Sequence, residues 1–232
     1  MAQIVIPAQS DSVMEGIGAS KDVNFGSQLY VYHRVTYLGG TKLGWGRAIG
    51  NFDVAAFVGA EILSAKLVRS VFSITNPGKQ AKLSRCAHPE WIEQQVTWNS
   101  YRNNFRWTAE GGDHDDAGPP AAITYTEPSG AGDHELLGLA PFVVDALTNR
   151  NGIVSIITRL ADESPGVSTE YVWRSKEYGS SAWRLVIDYT PAAPTEAGHR
   201  SLHDTAFGSG VRPAQGAHAA QPTTGVRPAR PR

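Results

Sequence analysis

Short runs in which apolar and polar residues alternate fill most of the first 190 positions of the chain, and Gly, Pro or Asn separates many runs from the next. Alternation with a period of two indicates a strand with one buried face, since successive side chains of a strand point to opposite sides. Many of these positions hold β-branched or aromatic residues, which favour strands. The pattern predicts strands at residues 4–6, 29–35, 46–54, 65–74, 95–98, 135–139, 153–160, 170–174 and 183–189.

Helical spacing is limited to two short segments. Residues 53–59 have room for one turn after a strand, and residues 141–149 predict a short helix with Pro141 near its start. Neither segment is long enough to form a helical layer. Short strands separated by turns are typical of two-sheet folds, so the sequence predicts an all-β fold, an antiparallel β-sandwich of jelly-roll type with an extended C-terminal tail.

The composition of the chain changes near residue 190. Residues 1–190 predict one domain with a single core, because a chain of that size buries roughly 70% of its unfolded surface on folding. Residues 191–232 are rich in Pro, Gly and Ala and have few large apolar side chains, so they predict an arm without a core of its own. The net charge of −1 does not predict a nucleic-acid-binding protein, because such proteins usually carry an excess of basic residues. Cys86 is the only cysteine, which excludes an intrachain disulfide.

Three groups of residues occur in an order that is found in one all-β family. They are IGNFD at 49–53 with ILSAKL at 62–67, WIEQQVTWN at 91–99, and SKE at 175–177 with RLVIDY at 184–189. In this order they resemble the DNRLRE-type domain, and the NFG turn at 24–26 matches the same family. The resemblance covers roughly residues 5–190. It implies a β-sandwich module of the kind found in secreted bacterial proteins and phage particles, some of which bind carbohydrate, and it implies binding or assembly rather than catalysis.

Local chemistry predicts the placement of several side chains near strand ends. Asn24 can bond to the backbone of its own turn. Phe52 is expected to face the core, and the carboxylate of Asp53 to accept hydrogen bonds from turn amides. In the strand predicted at residues 95–98, Val96 and Trp98 share one face, so Trp98 is a core candidate.

An irregular segment at residues 99–108 combines aromatic and basic side chains. An aromatic ring can cover the apolar side of a pyranose while a guanidinium group bonds its hydroxyls or a uronate. The candidate glycan-binding residues are Tyr101, Arg102, Phe105, Arg106 and Trp107. The alternative interpretation is a well-packed loop.

The densest group of candidate metal ligands follows in a glycine-flanked loop. Asp113, Asp115 and Asp116 surround His114, and oxygen ligands on a flexible loop suit calcium. The segment 133–135 (DHE) would add ligands if it folded close by. A structural calcium ion is the one cofactor that the sequence suggests, and a solvated acidic loop is the alternative.

Catalytic motifs are missing from the sequence. There is no G-x-S-x-G elbow, no Walker loop and no dinucleotide-binding fingerprint. Cys86 near His88 lacks an oriented third partner. The chain is therefore expected not to be an enzyme, and no catalytic residue is assigned.

The first residues and the C-terminal arm bear on where the protein is expected to act and what it is expected to bind. The first seven residues have no basic region and no long apolar run, which predicts neither a signal peptide nor a membrane anchor. The arm carries +3 and the domain −4, so the arm predicts docking onto an acidic neighbour. Its candidate assembly residues are Arg212, Arg227, Arg230 and Arg232.

These observations favour a non-enzymatic structural protein of a phage or phage-like particle. It would be made in the host cytoplasm and reside in the virion as a head or tail accessory or decoration protein. Its expected partners are other virion proteins, further copies of itself and a host-surface polysaccharide, with neither nucleic acid nor membrane among them. The alternative is an extracellular carbohydrate-binding module of a bacterial surface or a polysaccharide-degrading system.

Overall fold

All strands in residues 1–193, the part of the chain that the computed structural model describes, pair in antiparallel fashion. They are β1 (Ala2–Pro7), β2 (Ser10–Glu15), β3 (Tyr30–Leu38), β4 (Thr41–Asp53), β5 (Glu61–Thr75), β6 (Gln80–Cys86), β7 (Ser100–Arg102), β8 (Phe105–Arg106), β9 (His114–Asp115), β10 (Ile123–Thr126), β11 (Gly132–Leu137), β12 (Ile153–Leu160), β13 (Thr169–Arg174) and β14 (Arg184–Thr190). One helix, α1 (Ala140–Asn149), and short 3₁₀ turns at Gly18–Asp22, Ala55–Phe57 and Lys176–Ser181 complete the described elements. The predicted all-β sandwich of jelly-roll type is confirmed.

Twelve of these strands form one continuous sheet. Its order is β1-β14-β5-β13-β3-β4-β12-β6-β10, and β11, β2 and β9 join it at β5, β4 and β6 respectively. The two longest strands organise the fold. β5 pairs with β14 along its first half and with β13 along its end, while β4 pairs first with β3 and then with β2. Each long strand therefore ties several shorter strands together.

The main core lies between the layers and is built on large aromatic side chains. Trp173, Trp183 and Phe52 are fully buried there. Trp183 packs directly over Gly50, where any Cβ atom would overlap the indole. This close approach gives a packing reason for the glycine in the segment at 49–53.

Three ionisable side chains are buried together inside the sandwich. Arg69 of β5 donates to both carboxylate oxygens of Glu127, at 2.7 and 3.0 Å, and His33 Nε2 of β3 lies 3.0 Å from Glu127 Oε1. Burial alone would raise the pKa of Glu127, but Arg69 and His33 outweigh burial and hold that pKa well below its usual range. Glu127 follows β10, so this group links three parts of the sheet.

Most of the predicted elements are present, and their local chemistry is as expected. The predicted helix corresponds to α1, and the predicted single turn corresponds to Ala55–Phe57. Asn24 Oδ1 accepts the N–H of Gly26, and Asp53 Oδ1 accepts the N–H of Ala55. Phe52 and Trp98 are buried as predicted.

The strand predicted at residues 95–98 is wrong. The N–H groups of Gln95 and Val96 both bond to the carbonyl of Ile92, and Thr97 bonds to Ser100, so this segment forms turns. Val96 and Trp98 are still buried, because the turns direct both side chains inward. The alternation of apolar and polar residues correctly indicated a buried face but not a strand.

The pattern also missed β2, β6 and the short strands β7 to β10. β2 has polar residues at inward positions, and Asp11, Ser12 and Glu15 are almost fully buried. A search for apolar alternation cannot find a strand whose buried positions are polar, because the partners that satisfy those groups come from distant segments.

Candidate functional site

Three aromatic rings from separate parts of the chain pack against one another on the outside of the sheet, with Tyr30 and Phe72 stacked and Tyr178 tilted against Tyr30. Tyr30 begins β3, Phe72 lies near the end of β5, and Tyr178 belongs to the turn at Lys176–Ser181. The ring centroids of Tyr30 and Phe72 lie 4.7 Å apart, and those of Tyr30 and Tyr178 lie 5.9 Å apart. Phe72 is 51% exposed and Tyr178 is 39% exposed. We call these three rings together with Arg174 the aromatic ladder.

Phe72 lies on the outer face of β5, at a register shift in the pairing of β5 with β13. In the pairing of β13 with β5, Val172 lies opposite Ser73 and Trp173 lies opposite Val71. Phe72 therefore has no residue opposite it in β13. Val71 is buried and the next residue, Phe72, is exposed. Irregular pairing of this kind occurs often at functional positions.

Arg174 forms one end of the aromatic ladder. Its Cζ atom lies 4.3 Å from the centroid of the Tyr178 ring, and its Nη1 atom donates to Ser70 Oγ at 3.3 Å. Arg174 also lies directly opposite Tyr30 in the pairing of β13 with β3. The ladder therefore presents partly exposed rings beside a positioned guanidinium group, a combination that suits a ligand with both an apolar face and hydroxyl groups.

Sequence reasoning missed the aromatic ladder because its four residues are far apart in the chain. Each aromatic side chain taken alone has an ordinary strand or turn context. The only local signal is the pair Val71-Phe72 in one strand, since two adjacent large apolar residues break the alternation of β5.

The five residues predicted to bind glycan lie on and beside the β7–β8 hairpin, but two of the three aromatic side chains face inward. Tyr101 is 8% exposed and Trp107 is 6% exposed. Both belong to a second, smaller core together with Trp98. The Trp107 indole donates to the carbonyl of Thr97 at 2.9 Å, and the Tyr101 ring stacks on His88 with centroids 4.2 Å apart.

The other three predicted residues remain on the surface of the hairpin. Phe105 is 46% exposed, but the Arg102 guanidinium lies 4.0 Å from its ring centroid and covers part of it. Arg106 is exposed. The hairpin thus offers one exposed ring partly covered by an arginine, whereas the aromatic ladder offers two exposed rings, of which Tyr178 is covered by Arg174 in the same way.

The three aspartates predicted to hold calcium each have donors of their own. Asp113 accepts the N–H groups of Thr108 and Ala109, both at 2.7 Å. Burial would raise the pKa of Asp113, but these bonds outweigh it and lower the pKa. Asp115 accepts the N–H groups of Ala117 and Gly118 and pairs with Arg85.

Asp116 is the most strongly held of the three. It accepts bonds from Ser84, Lys82 and Arg159. These partners outweigh burial and lower the pKa of Asp116 to about 2. The side chains of the segment at 133–135 do not join them: Asp133 pairs with Arg184, Glu135 pairs with Lys66, and His134 lies against the carbonyl of Gly130.

A different set of carboxylates converges among the described residues. Asp11, Glu93 and Glu177 place oxygen atoms within 4.8 Å of one another. Lys176 already neutralises part of this charge, since its Nζ atom lies 3.0 Å from Glu93 and 2.7 Å from Glu177. Asp11 accepts the N–H of Lys176 and the indole N–H of Trp183.

These carboxylates join the segments that carry the family resemblance. Burial raises the pKa of Asp11 to about 7, with Glu177 and Glu93 adding to the effect and the bonds from Lys176 and Trp183 opposing it. Asn24 Nδ2 donates to the carbonyl of Glu93 at 2.6 Å. The cluster therefore holds the ends of distant segments together and positions the turn that carries Tyr178.

Cys86 has none of the properties of a nucleophile. Its side chain is fully buried, and burial raises its pKa to about 12. The thiol lies 3.5 Å from the carbonyl of His88, to which it donates. A thiol in this setting stays protonated at neutral pH.

The remaining sequence predictions concern the arm and the family. The arm residues Arg212, Arg227, Arg230 and Arg232 lie outside the described residues. Within residues 1–193, no helix is long and apolar enough to cross a membrane. Comparison with known proteins finds no matching family model and no matching curated sequence. The resemblance to the DNRLRE-type domain thus stays a prediction.

Proposed function

We propose that this protein is a non-enzymatic β-sandwich that binds carbohydrate through the aromatic ladder. The observation that carries the proposal is the group of three packed rings, Tyr30, Phe72 and Tyr178, on the outside of the sheet, with Arg174 at one end. The rings sit on paired strands and a short turn, so binding orders few additional side chains.

A sugar is the ligand class that best matches this surface. One face of a pyranose consists of C–H groups that pack on an aromatic ring, and its edge carries hydroxyls that accept bonds from Arg174. The ladder lies on a sheet surface rather than at the bottom of a cleft. We therefore expect it to bind along a glycan chain with modest affinity.

The carboxylate cluster beside the turn that carries Tyr178 supports a binding role rather than a catalytic one. The carboxylates of Glu93 and Glu177 are bonded to Lys176, and Asp11 is bonded to two N–H groups. Side chains held in this way connect segments of the fold. They do not leave an acid and a base facing each other across a substrate position.

A glycan array probed with the full chain tests the proposal. We expect the wild type to bind one class of neutral or acidic glycan on the array. Phe72→Ala and Tyr178→Ala should lose most of that binding signal. Phe105→Ala is the matched control, because Phe105 is exposed to a similar extent but belongs to the hairpin. Binding that is lost in Phe105→Ala and kept in Phe72→Ala would place the site on the hairpin instead, and an array without any signal would contradict the proposal.

The setting in which the protein acts stays a prediction from the sequence. Both a phage-like particle and an extracellular bacterial system use surface modules that hold glycans. The proposal applies to either one, because it depends only on the sandwich surface.

A further inference from the structure

Strand β1 leaves one of its edges open. It is the first strand in the sheet order and pairs with β14 through six successive residues without a register shift. Within residues 1–193 no strand pairs with its other edge. An open edge presents unpaired backbone N–H and C=O groups that match another extended strand.

The residues of β1 give this edge none of the usual protection. The strand reads AQIVIP, with no charged side chain and no bulge, and Val5 is 51% exposed while Ile4 is 36% exposed. Proteins normally protect such edges with lysine, a bulge or a very short strand. Proline occurs only at the last position of β1.

The other strands of this sheet that pair on one side only are protected: β2 is almost wholly buried, and β9 has only two residues. β11 carries Asp133 and Glu135 along its six residues. β10, at the far end of the sheet order, has only four residues, and Pro120 and Pro128 flank it at a short distance. The contrast within one sheet sets β1 apart as the strand suited to pairing.

We propose that β1 pairs in antiparallel fashion with β1 of a second copy of this chain. Two identical strands related by a two-fold axis need no complementary partner, and the uncharged segment 3–6 lets them approach without like-charge repulsion. Ile4 and Val5 would form cross-strand pairs of β-branched side chains, which stabilise sheets. The pairing closes on itself, so the expected product is a dimer.

Two six-residue strands bury less than the roughly 1,200 Å² of a standard stable interface. The dimer is therefore expected to be weak and to depend on protein concentration. Sedimentation velocity on the full chain, over a concentration series of about a hundredfold, is the measurement. We expect the mean mass of the wild type to rise from one copy towards two.

Three variants decide the origin of that rise. Val5→Lys places a charge on the exposed edge and should abolish the rise in mean mass. Val5→Thr keeps a β-branched side chain and should retain that rise. Leu38→Lys is the matched control, because Leu38 is 72% exposed at the far end of β3, and it should behave like the wild type. A wild type that stays monomeric, a mass that grows beyond two copies, or a Val5→Lys variant that still dimerises would overturn the proposal. Circular dichroism confirms that every variant is folded.

Discussion

The β7–β8 hairpin and the aromatic ladder are built from the same kinds of side chain and use them in opposite ways. In the hairpin, Tyr101 and Trp107 turn inward and hold a second core together. In the ladder, Phe72 and Tyr178 stay exposed, with Phe72 held by a paired strand and Tyr178 by a short turn. Aromatic and basic residues that are close in the sequence thus formed mainly a structural unit, and residues that are far apart formed the surface suited to a ligand.

This difference has a physical cause. A segment such as 87–112 contains almost no paired strand, so it must bury its own large side chains to gain stability. A residue on a long paired strand is already held by backbone bonds and by its buried neighbours. Such a strand can leave an aromatic ring in water at little cost to the fold.

Trp107→Ala should show the largest effect and tests the structural role of the hairpin. Removing a buried tryptophan from a core costs about 3–5 kcal/mol in the free energy of unfolding, because it loses transfer free energy and leaves a cavity. Urea denaturation checks this. A loss below about 1 kcal/mol would mean that Trp107 is not part of a cooperative core.

The pH dependence of stability tests the cluster that holds the turn of Tyr178. The pKa of Asp11 is 3.8 as its ordinary value and about 7 in the fold, so between these values the folded chain binds more protons than the unfolded chain. Protonated Asp11 therefore stabilises the fold. This contribution to the free energy of unfolding, up to a few kcal/mol, is lost as pH rises from about 4 to 7.

Asp11→Asn isolates this effect. His114, whose pKa is lowered by burial, acts in the opposite direction over part of the same range, so the difference between the two proteins is what matters. We expect the stability of Asp11→Asn relative to the wild type to increase between pH 5 and pH 7.5, measured by urea denaturation. A constant difference would show that Asp11 ionises normally in the fold.

Phe72→Ala should separate binding from stability. Loss of the most exposed ring of the ladder is expected to weaken glycan binding about tenfold, or about 1.4 kcal/mol, while the unfolding free energy changes by less than about 1 kcal/mol. Calorimetric titration with a glycan identified on the array, beside urea denaturation, measures both quantities. A large loss of stability would make Phe72 a structural residue like Trp107.

Phe105→Ala should have the smallest effect on either measure. Phe105 is exposed, and the hairpin core is complete without it, so we expect a change in unfolding free energy of about 0.5 kcal/mol or less and unchanged glycan affinity. The same two measurements apply. A loss of affinity equal to that of Phe72→Ala would remove the distinction between the two regions.

Part of the candidate site could be read from the sequence. The strands that carry it were predicted at residues 29–35, 65–74 and 170–174, and each lies within or overlaps an observed strand. The contact of Phe72 with the ring of Tyr30, which also meets Tyr178, could not be predicted, because it depends on the pairing of β13 with both β3 and β5 and on a turn about 100 residues further along the chain. The partners of Asp116 were hidden because they come from distant strands. The backbone donors of Asp113 and Asp115 come from the same loop, and the candidate metal ligands were assigned without considering them.

The sequence by itself determined the all-β class, the helix near residue 141 and the burial of Phe52 and Trp98, because periodicity and turn chemistry act over a few residues. The tertiary structure alone decided which aromatic rings face water, where the buried carboxylates find partners, and which strand keeps an open edge. Each of these depends on pairing between distant segments. Local sequence fixes which side chains share a face of a strand, but only the assembled sheet fixes what each face meets.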